Sequence, residues 1–474
     1  MALCPPPSLG ELRHIHALPG AEPLGEEMGA HLGGYVAAES RGRQLQVYTY
    51  FAQHADPAAP LIVWMSGGPG ASSLMGLFTE LGPFLLNGQS LPKPPRRSDW
   101  QVFSNPFGWH TAGSLLAWEQ PAGVGFSRCV SGPNCDIWDD ISSAEANLAV
   151  LVAFFNEHPS ELKRDLYIIG ESYAGVYVPL LAKQILEYNQ GAASAGKELA
   201  LRGIGVGNGC VGFGVPGSCG SDSLETLIGY FERGAPGVDA DKLAAARGTC
   251  GAQLRAGAQS AKELSPACRS ALKSVWLELG QYNVYDYASA CGPSEQGNWG
   301  EGEAFACDSA GALQKYLARA EVQRALGVIP DAPGAQARTW QQWDGMMPGY
   351  NISVSNVVST YKELLEQRLR VFIYNGLRDT CVPTTGAQVW TAQIGGPVAE
   401  ARRAWAAAGQ PVGHVVRYAS GLSFATVDGA GHLVPADRPQ AALALVQSLV
   451  RNEPLPAVPA APGGACTSVW MGRG

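Results

Sequence analysis

The sequence of 474 residues lacks several features that define whole classes of protein. No apolar run approaches the ~18 to 20 residues that a membrane-spanning helix needs. Basic residues are not in excess, since 33 Lys and Arg stand against 41 Asp and Glu and no Lys/Arg block is present; nucleic-acid and anionic-membrane roles therefore have no electrostatic support. The Cys and His spacings of zinc sites and the HExxH pattern are missing, so no zinc-site motif is present. The 59 glycines follow no Gly-X-Y period, which excludes collagen.

The chain does contain enough apolar material for a large core. Hydrophobic residues make up 46% of it, which excludes disorder of the whole chain. A length of 474 residues gives a prior of about three domains, although a catalytic α/β domain with insertions often exceeds the usual domain size. The N-terminus has no basic head followed by an apolar segment, so no signal peptide is visible.

Eight of the eleven cysteines fall into close couples. The couples are Cys129/Cys135, Cys210/Cys219, Cys250/Cys268 and Cys291/Cys307. Such local couples are typical of disulfides formed in a secretory compartment, and thiols of a cytosolic enzyme are the alternative. One sequon, Asn351-Ile352-Ser353, agrees with a secreted glycoprotein.

Short apolar runs alternate with helical patterns along most of the chain. Residues 35–51 predict a hairpin, and further strands are predicted at 61–65, 115–118, 166–169, 369–374 and 424–427. Helices are predicted at 141–156, 176–188, 354–367 and 439–451. Runs that are apolar on both faces suit a parallel sheet covered by helices, so the pattern predicts an open α/β sheet.

The stretch 211–335 differs from this pattern. It is rich in Gly, Ala and Ser, with short helical patterns and no strong strands, and we interpret it as a helical cap inserted into the sheet domain. The catalytic domain would then consist of residues 1–210 and 336–452. The Pro/Ala/Gly-rich residues 453–474 are predicted to form a loose tail.

Ser172 is the candidate nucleophile. In LYIIGESYAG it follows a predicted strand and precedes a predicted helix, as in the nucleophile elbow G-x-S-x-G of α/β-hydrolases. Gly170 and Ser172 fit that signature, whereas Ala174 stands in the last position and Gly175 follows it. An ordinary helix N-cap serine is the alternative reading.

A serine nucleophile needs a base, and the base needs a carboxylate that orients it. α/β-Hydrolases supply these groups in the chain order Ser, acid, His. His432 follows the predicted strand at 424–427 on a Gly-rich loop, whereas His414 precedes that strand in a polar stretch and is expected at the surface. Asp379 follows the strand at 369–374, so Ser172, Asp379 and His432 form the expected series.

The segment WMSGGPGASSL follows the strand at 61–65 and is the candidate oxyanion loop. Gly67 and Gly68 have no side chains that would block the approach of a substrate to backbone N–H donors. A phosphate-binding loop is excluded because no GK[ST] follows and Pro69 removes a donor.

Taken together, five blocks resemble the serine carboxypeptidase family. They are LIVWMSGGPGASSLMGLFTELGP, EQPAGVGFS, LYIIGESYAGVYVP, YNGLRDTCVP and FATVDGAGHLVPADRP, and they occur in the family's order over about residues 33 to 450. The resemblance implies an α/β-hydrolase fold, with a mixed but mostly parallel central sheet, helices on both faces and an inserted, mainly helical cap. It also implies the removal of C-terminal amino acids from peptides or proteins, without a cofactor or metal.

Site roles follow from the resemblance, residue by residue. Ser172 would be the nucleophile, His432 the base and Asp379 its orienting acid. The N–H groups of Gly68 and Tyr173 would form the oxyanion hole.

The same resemblance assigns a site for the free carboxylate of the substrate. It consists of Ser66, the Gly67 backbone, Glu80 and Glu171. A carboxylate cannot pair with two ionised glutamates, so this site favours peptide hydrolysis at acidic pH, where the two glutamates hold a proton. Ser66 departs from the pattern, since the family has Asn there, and it puts carboxylate recognition in question.

The resemblance and the cysteine couples both imply the secretory pathway, in a vacuole- or lysosome-like compartment or outside the cell. We therefore expect that this chain is missing its leader. Peptide or protein C-termini are the expected partners, with no nucleic acid and no membrane span. A homodimer is one expectation for an oligomeric state that the sequence leaves open.

Three other functions compete with a carboxypeptidase. A serine carboxypeptidase-like acyltransferase is favoured by the small hydroxyl of Ser66, but Glu171 speaks against it because such plant relatives usually have Asp there. A binding or protective protein on the same scaffold is disfavoured because Ser172, Asp379 and His432 are all retained. A generic lipase or esterase would not need the paired glutamates.

Overall fold

The structure is a computed structural model. It describes residues 11–22, 28–87, 90, 100–192, 196–215, 217–219, 228, 238–255, 264–279, 283–289, 309–332, 334–341 and 346–459. The strands are β1 Leu12–His14, β2 Met28–Ser40, β3 Arg43–His54, β4 Leu61–Met65, β5 Phe84–Leu85, β6 Phe103–Ser104, β7 Ser114–Trp118, β8 Arg128–Ser131, β9 Trp138–Asp139, β10 Leu166–Glu171, β11 Leu201–Gly207, β12 Tyr350–Asn351, β13 Arg370–Gly376, β14 Val398–Ala407, β15 Gln410–Tyr418 and β16 Leu422–Val427. The helices are α1 Ser73–Thr79, α2 Asp140–Glu157, α3 Ala174–Ala192, α4 Ala240–Arg255, α5 Pro266–Leu279, α6 Ser309–Leu317, α7 Ala320–Ala325, α8 Val358–Glu366, α9 Thr384–Gly395, α10 Val434–Asp437 and α11 Pro439–Arg451.

Twelve of these strands form one sheet in the order β1-β2-β3-β7-β4-β10-β11-β13-β16-β15-β14, with β8 paired to β3. The six strands from β7 to β16 run parallel, and antiparallel strands flank them on both sides. The parallel strands are apolar because helices cover both faces of the sheet. The predicted α/β-hydrolase architecture is confirmed.

The predicted hairpin at 35–51 is confirmed as β2 and β3. Ser40 pairs with Arg43, so the connection has two residues, Arg41 and Gly42. Both have positive φ, 52° and 73°, as a two-residue turn between right-twisted strands requires.

Two buried clusters lie on opposite faces of the sheet. One combines the sheet with α2, α3, α8 and α9. The other combines it with α1, α6, α7 and α11. The sequence places α6 and α7 in the cap, but Leu313, Tyr316 and Leu317 are fully buried against the sheet face, so these helices belong to the main core.

The described part of the cap has a separate small core. Helices α4 and α5 pack on each other and are joined by the disulfide Cys250–Cys268. The disulfides Cys129–Cys135 and Cys210–Cys219 are also present, which confirms three of the four couples. The fourth couple, Cys291/Cys307, lies outside the described residues.

Several elements have no counterpart in the sequence prediction. Strand β11, the hairpin of β14 and β15, and the helices α1 and α9 are new. The start of the predicted loose tail is attached to this hairpin, because Ala457 bridges to Trp405 and the Ala406 N–H donates to the Pro456 carbonyl. Among the described helices, none combines the length and apolarity that crossing a membrane requires.

Candidate active site

Four neighbouring parallel strands end at the same edge of the sheet, and each is followed by a polar residue. Ser172 follows β10, Asn208 follows β11, Asp379 follows β13 and His432 follows β16. Because the strands are adjacent and parallel, the four loops lie side by side. In open α/β sheets this carboxyl edge is the usual position of a ligand site.

Ser172 occupies the tip of a strained turn. Its φ is +62°, a left-handed conformation that costs a non-glycine residue about 1–2 kcal/mol. Three backbone hydrogen bonds hold the turn: its N–H donates to the Gly207 carbonyl at 3.0 Å, and its carbonyl accepts from Gly175 and Cys210 at 2.9 Å. The side chain remains half-buried, as expected for a nucleophile elbow.

The glycines of the elbow are required by close packing. A Cβ on Gly170 would lie 2.5 Å from the Ala174 Cβ, and one on Gly175 would lie 2.2 Å from the Cys210 carbonyl oxygen. Gly175 therefore packs directly against the backbone of Cys210, and position 174 can hold an alanine. This packing accounts for the departure from G-x-S-x-G.

His432 and Asp379 are brought together as the sequence predicts. The His432 Nδ1 lies 2.6 Å from the Asp379 Oδ2, and both side chains are buried, with 3% and 0% exposed. The other carboxylate oxygen accepts from the N–H groups of Cys381 at 2.8 Å and Val382 at 3.2 Å. An ionised carboxylate accepts only, so His432 Nδ1 carries the proton of this bond and Nε2 is left as the basic nitrogen.

Gly67 packs directly against the elbow. A Cβ there would lie 2.3 Å from the Tyr173 nitrogen and 2.8 Å from the Ser172 Cβ. Gly68 has φ +107°, so the loop turns sharply beside the Tyr173 N–H. The Tyr173 ring is fixed because its hydroxyl donates to the buried carboxylate of Asp140 at 2.7 Å.

Ser66 is buried at the end of β4. Its Oγ accepts a hydrogen bond from Trp64 Nε1 at 3.1 Å, and its N–H donates to Ser73 Oγ at 3.3 Å. Because the indole occupies a lone pair of the hydroxyl, the Ser66 O–H hydrogen remains a donor for another group.

Glu80 and Glu171 form a buried carboxyl pair, with 3% and 5% of each side chain exposed. Burial raises the pKa of Glu80 to about 8, and the charge of Asp437 adds to the rise. Burial, followed by the charge of Glu80, raises the pKa of Glu171 well above its usual value. The two side chains share a hydrogen bond, and the Oε2 atom of each has no partner in the part of the chain that the structure describes. The raised pKa values favour the neutral, protonated form of these carboxyls, and a protonated carboxyl can donate a hydrogen bond to an anion.

A cap segment, residues 283–289, lies across the acid and base loops. The Val284 carbonyl accepts from the N–H groups of Thr380 and Cys381 at 2.9 and 3.0 Å, and the Tyr285 carbonyl accepts from the His432 N–H at 2.7 Å. The Tyr285 ring lies 4.8 Å from the imidazole, centroid to centroid. The cap therefore covers one face of the histidine.

Sequence reasoning missed Asn208, Tyr285 and Asp140. Asn208 stands in the turn GNG directly after a Gly-rich run, a signal that would have marked the end of a strand. Tyr285 and Asp140 reach the site only through the tertiary fold, and no local pattern marks them.

A model of the family described as "Serine carboxypeptidase" matches residues 19–452. That match covers most of the 474 residues and includes every block that carried the resemblance. The chain belongs to the serine carboxypeptidase family. The resemblance deduced from the sequence is confirmed, and the family supports a serine hydrolase.

The relatives of this family member extend over nearly its whole length. Serine carboxypeptidase-like 40 of Arabidopsis thaliana is 30% identical over an alignment of 452 residues that covers 93% of this chain and 83% of the relative. Serine carboxypeptidase-like 29 of the same plant is 31% identical over an alignment of 441 residues that covers 90% of this chain and 86% of the relative. A prohormone-processing carboxypeptidase from Saccharomyces cerevisiae has a similar structure, with a TM-score of 0.68 at 20% identity, over 92% of this chain and 94% of that one. At this identity the structural likeness shows the fold alone.

Proposed function

We propose that the protein is a serine-type carboxypeptidase that releases C-terminal amino acids from peptides or proteins at acidic pH. The observation that carries the proposal is the buried carboxyl pair of Glu80 and Glu171 beside the nucleophile elbow. Glu171 directly precedes Ser172, so an anion held by the pair would stand next to the reacting hydroxyl. A general esterase has no need of such a pair.

In this proposal the hydroxyl of Ser172 attacks the scissile carbonyl and passes its proton to Nε2 of His432. The hydrogen bond between Nδ1 and Asp379 holds the tautomer and stabilises the imidazolium that forms. The histidine then protonates the departing amino acid, and the acyl group stays on Ser172. Attack by water, with the same histidine as base, releases the shortened peptide.

The N–H groups of Gly68 and Tyr173 are proposed to stabilise the oxyanion. The left-handed Ser172 and the close approach of Gly67 to Tyr173 support this assignment, because they fix the donor before substrate arrives. The hydrogen bond from Tyr173 to Asp140 keeps the residue from rotating away.

Ser66, Gly67, Glu80 and Glu171 are proposed to bind the free carboxylate of the substrate. The raised pKa of both glutamates supports this role, since a protonated carboxyl donates to an anion that an ionised one would repel. Ser66 offers its O–H hydrogen in place of the longer amide of an asparagine.

The three disulfides support a secretory compartment as the working environment, because disulfides persist where thiols are oxidised.

The test is fluorophosphonate labelling followed by product analysis on a panel of peptides at about pH 4 to 6. We expect labelling of Ser172, stepwise release of single C-terminal residues, and loss of both in S172A. Labelling without release of any C-terminal residue would refute the carboxypeptidase assignment.

Acyl transfer is the second candidate, and the hydroxyl at Ser66 favours it. The shorter side chain, already bonded to Trp64, reaches less far toward a substrate carboxylate than an amide would. Transfer of an acyl group from a glucose ester to an alcohol, with little hydrolysis of blocked dipeptides, would favour this function over peptide cleavage.

A further inference from the structure

We propose that Asn208 is a positioning residue that orients the Asp379 carboxylate toward His432. The inference rests on the proposed triad, but not on the identity of the substrate. Asn208 directly follows β11, the strand that separates the strand of the nucleophile from the strand of the acid. It is fully buried, with 0% of its surface exposed.

The contact is made to the oxygen that faces the histidine. Asn208 Nδ2 donates to Asp379 Oδ2 at 2.8 Å, and His432 Nδ1 lies 2.6 Å from the same atom. The other oxygen, Oδ1, is held by two backbone N–H groups at 2.8 and 3.2 Å. With donors on both oxygens, the carboxylate is restricted in its rotation, and Asn208 is its side-chain support on the Oδ2 side.

Asn208 is itself held by its side chain and by its backbone. Its side-chain Oδ1 accepts from the Gly376 N–H at 3.0 Å, and its backbone N–H donates to the Tyr374 carbonyl at 2.8 Å. The backbone has φ +41°, a left-handed conformation that asparagine tolerates better than most residues. An amide therefore satisfies one acceptor and one donor here, which neither a carboxylate nor an apolar side chain does.

The same turn also holds the nucleophile. The residue before Asn208 accepts the Ser172 N–H at 3.0 Å, and two residues after it Cys210 donates to the Ser172 carbonyl at 2.9 Å. Residues 207–210 thus connect the backbone of the serine with the carboxylate of the acid. This connection fixes the position of the nucleophile relative to the acid.

The experiment compares N208D and N208S with wild type. N208D keeps the size of the side chain but has no donor for Asp379 once its carboxyl is ionised, whereas N208S retains a hydroxyl donor. We expect N208D to lower kcat about 10- to 100-fold with KM nearly unchanged, and to slow fluorophosphonate labelling of Ser172 by a similar factor. N208S should recover part of the loss.

The pH profile separates positioning from general damage. The carboxyl introduced by N208D would face Asp379 and His432, and Glu171 and Asp286 are the further carboxyl groups whose pKa the charge of Asp379 raises. At low pH it is protonated and donates again, so the ratio of mutant to wild-type kcat should rise as the pH falls.

Asn189 provides a matched control. Its amide donates to and accepts from the backbone of Leu199 at 2.9 Å each, near the opposite end of β11. N189D removes an equivalent donor and should leave kcat and the pH profile unchanged. A kcat of N208D within about twofold of wild type, a loss confined to KM, or an equal loss in N189D would overturn the inference. Labelling of Ser172 needs no peptide substrate. The labelling rates of the variants therefore test this inference even if the carboxypeptidase assignment fails.

Discussion

Hydrolysis of a free C-terminus should fail at the pH where the glutamate pair loses its proton. Burial raises the pKa of Glu80 from 4.5 to about 8 and also holds that of Glu171 well above its usual value, so the pair holds a proton through the acidic and neutral range. The profile of kcat/KM reports the free enzyme. For a blocked dipeptide we therefore expect kcat/KM to fall about tenfold per pH unit above about pH 8, while the C-terminal amide of the same dipeptide shows no such fall.

The perturbation is E80Q, which keeps the size of the side chain and an N–H donor at every pH. We expect the alkaline fall for the free acid to move away from about pH 8, because Glu171 is then the one carboxyl of the pair that titrates, with less than about a tenfold loss at acidic pH because a neutral donor replaces a protonated carboxyl. E119Q is the matched control, since Glu119 is also fully buried with its pKa raised to about 7 but is bonded to Ser72, Phe126 and Trp340. E119Q should leave unchanged the difference between the pH profiles of kcat/KM for the free acid and for the amide.

Unfolding provides an independent measure of the same proton. Because the folded pKa of Glu80 is raised, its contribution to stability is fully present below pH 4.5 and is lost as the pH rises through about 8. The rise from 4.5 to about 8 corresponds to at most roughly 5 kcal/mol, at about 1.4 kcal/mol per unit. Melting temperatures of wild type and E80Q should therefore converge or cross as the pH rises.

The kinetic comparison decides the argument. Parallel pH profiles of kcat/KM for the free acid and the amide in wild type would refute the reasoning about the glutamate pair.

Three further predictions concern the loops and the cap. G67A should lower kcat about 100-fold or more without unfolding the protein, because the added Cβ would lie 2.3 Å from the Tyr173 nitrogen, a proposed oxyanion donor. Circular dichroism checks that the variant is folded, and wild-type turnover by the folded variant would contradict the prediction. S66N should raise kcat/KM for the free acid about tenfold relative to the amide, since it restores an amide donor, and equal changes for both substrates would count against carboxylate recognition at this position. Replacing Cys250 and Cys268 together by serine opens a loop with a sequence separation of 18 and should cost about 3 kcal/mol, seen as an earlier calorimetric transition of the cap; an unchanged single transition would be inconsistent with its separate core.

Local patterns predicted the elements with strong apolar runs. The run LIVWM became β4 with the same ends, and the pattern at 439–451 became α11, because continuous apolar stretches and an Arg-Pro entry determine local structure with little help from the rest of the chain. Strand β11 was missed because its sequence, LRGIGVG, has three glycines and little β propensity. It forms because β10 and β13 pair with it on both sides.

The sequence by itself determined the fold class, the family and the identities of Ser172, Asp379 and His432 as candidates, because each stands beside a strong strand signal in the expected chain order. Only the tertiary structure decided what surrounds them. The pairing of Glu80 with Glu171, the support of Asp379 by Asn208 and the cover of His432 by Tyr285 join residues far apart in the chain. Such contacts depend on strand order and on where the cap lies, and burial then raises the pKa values of groups that would be ordinary carboxylates in water.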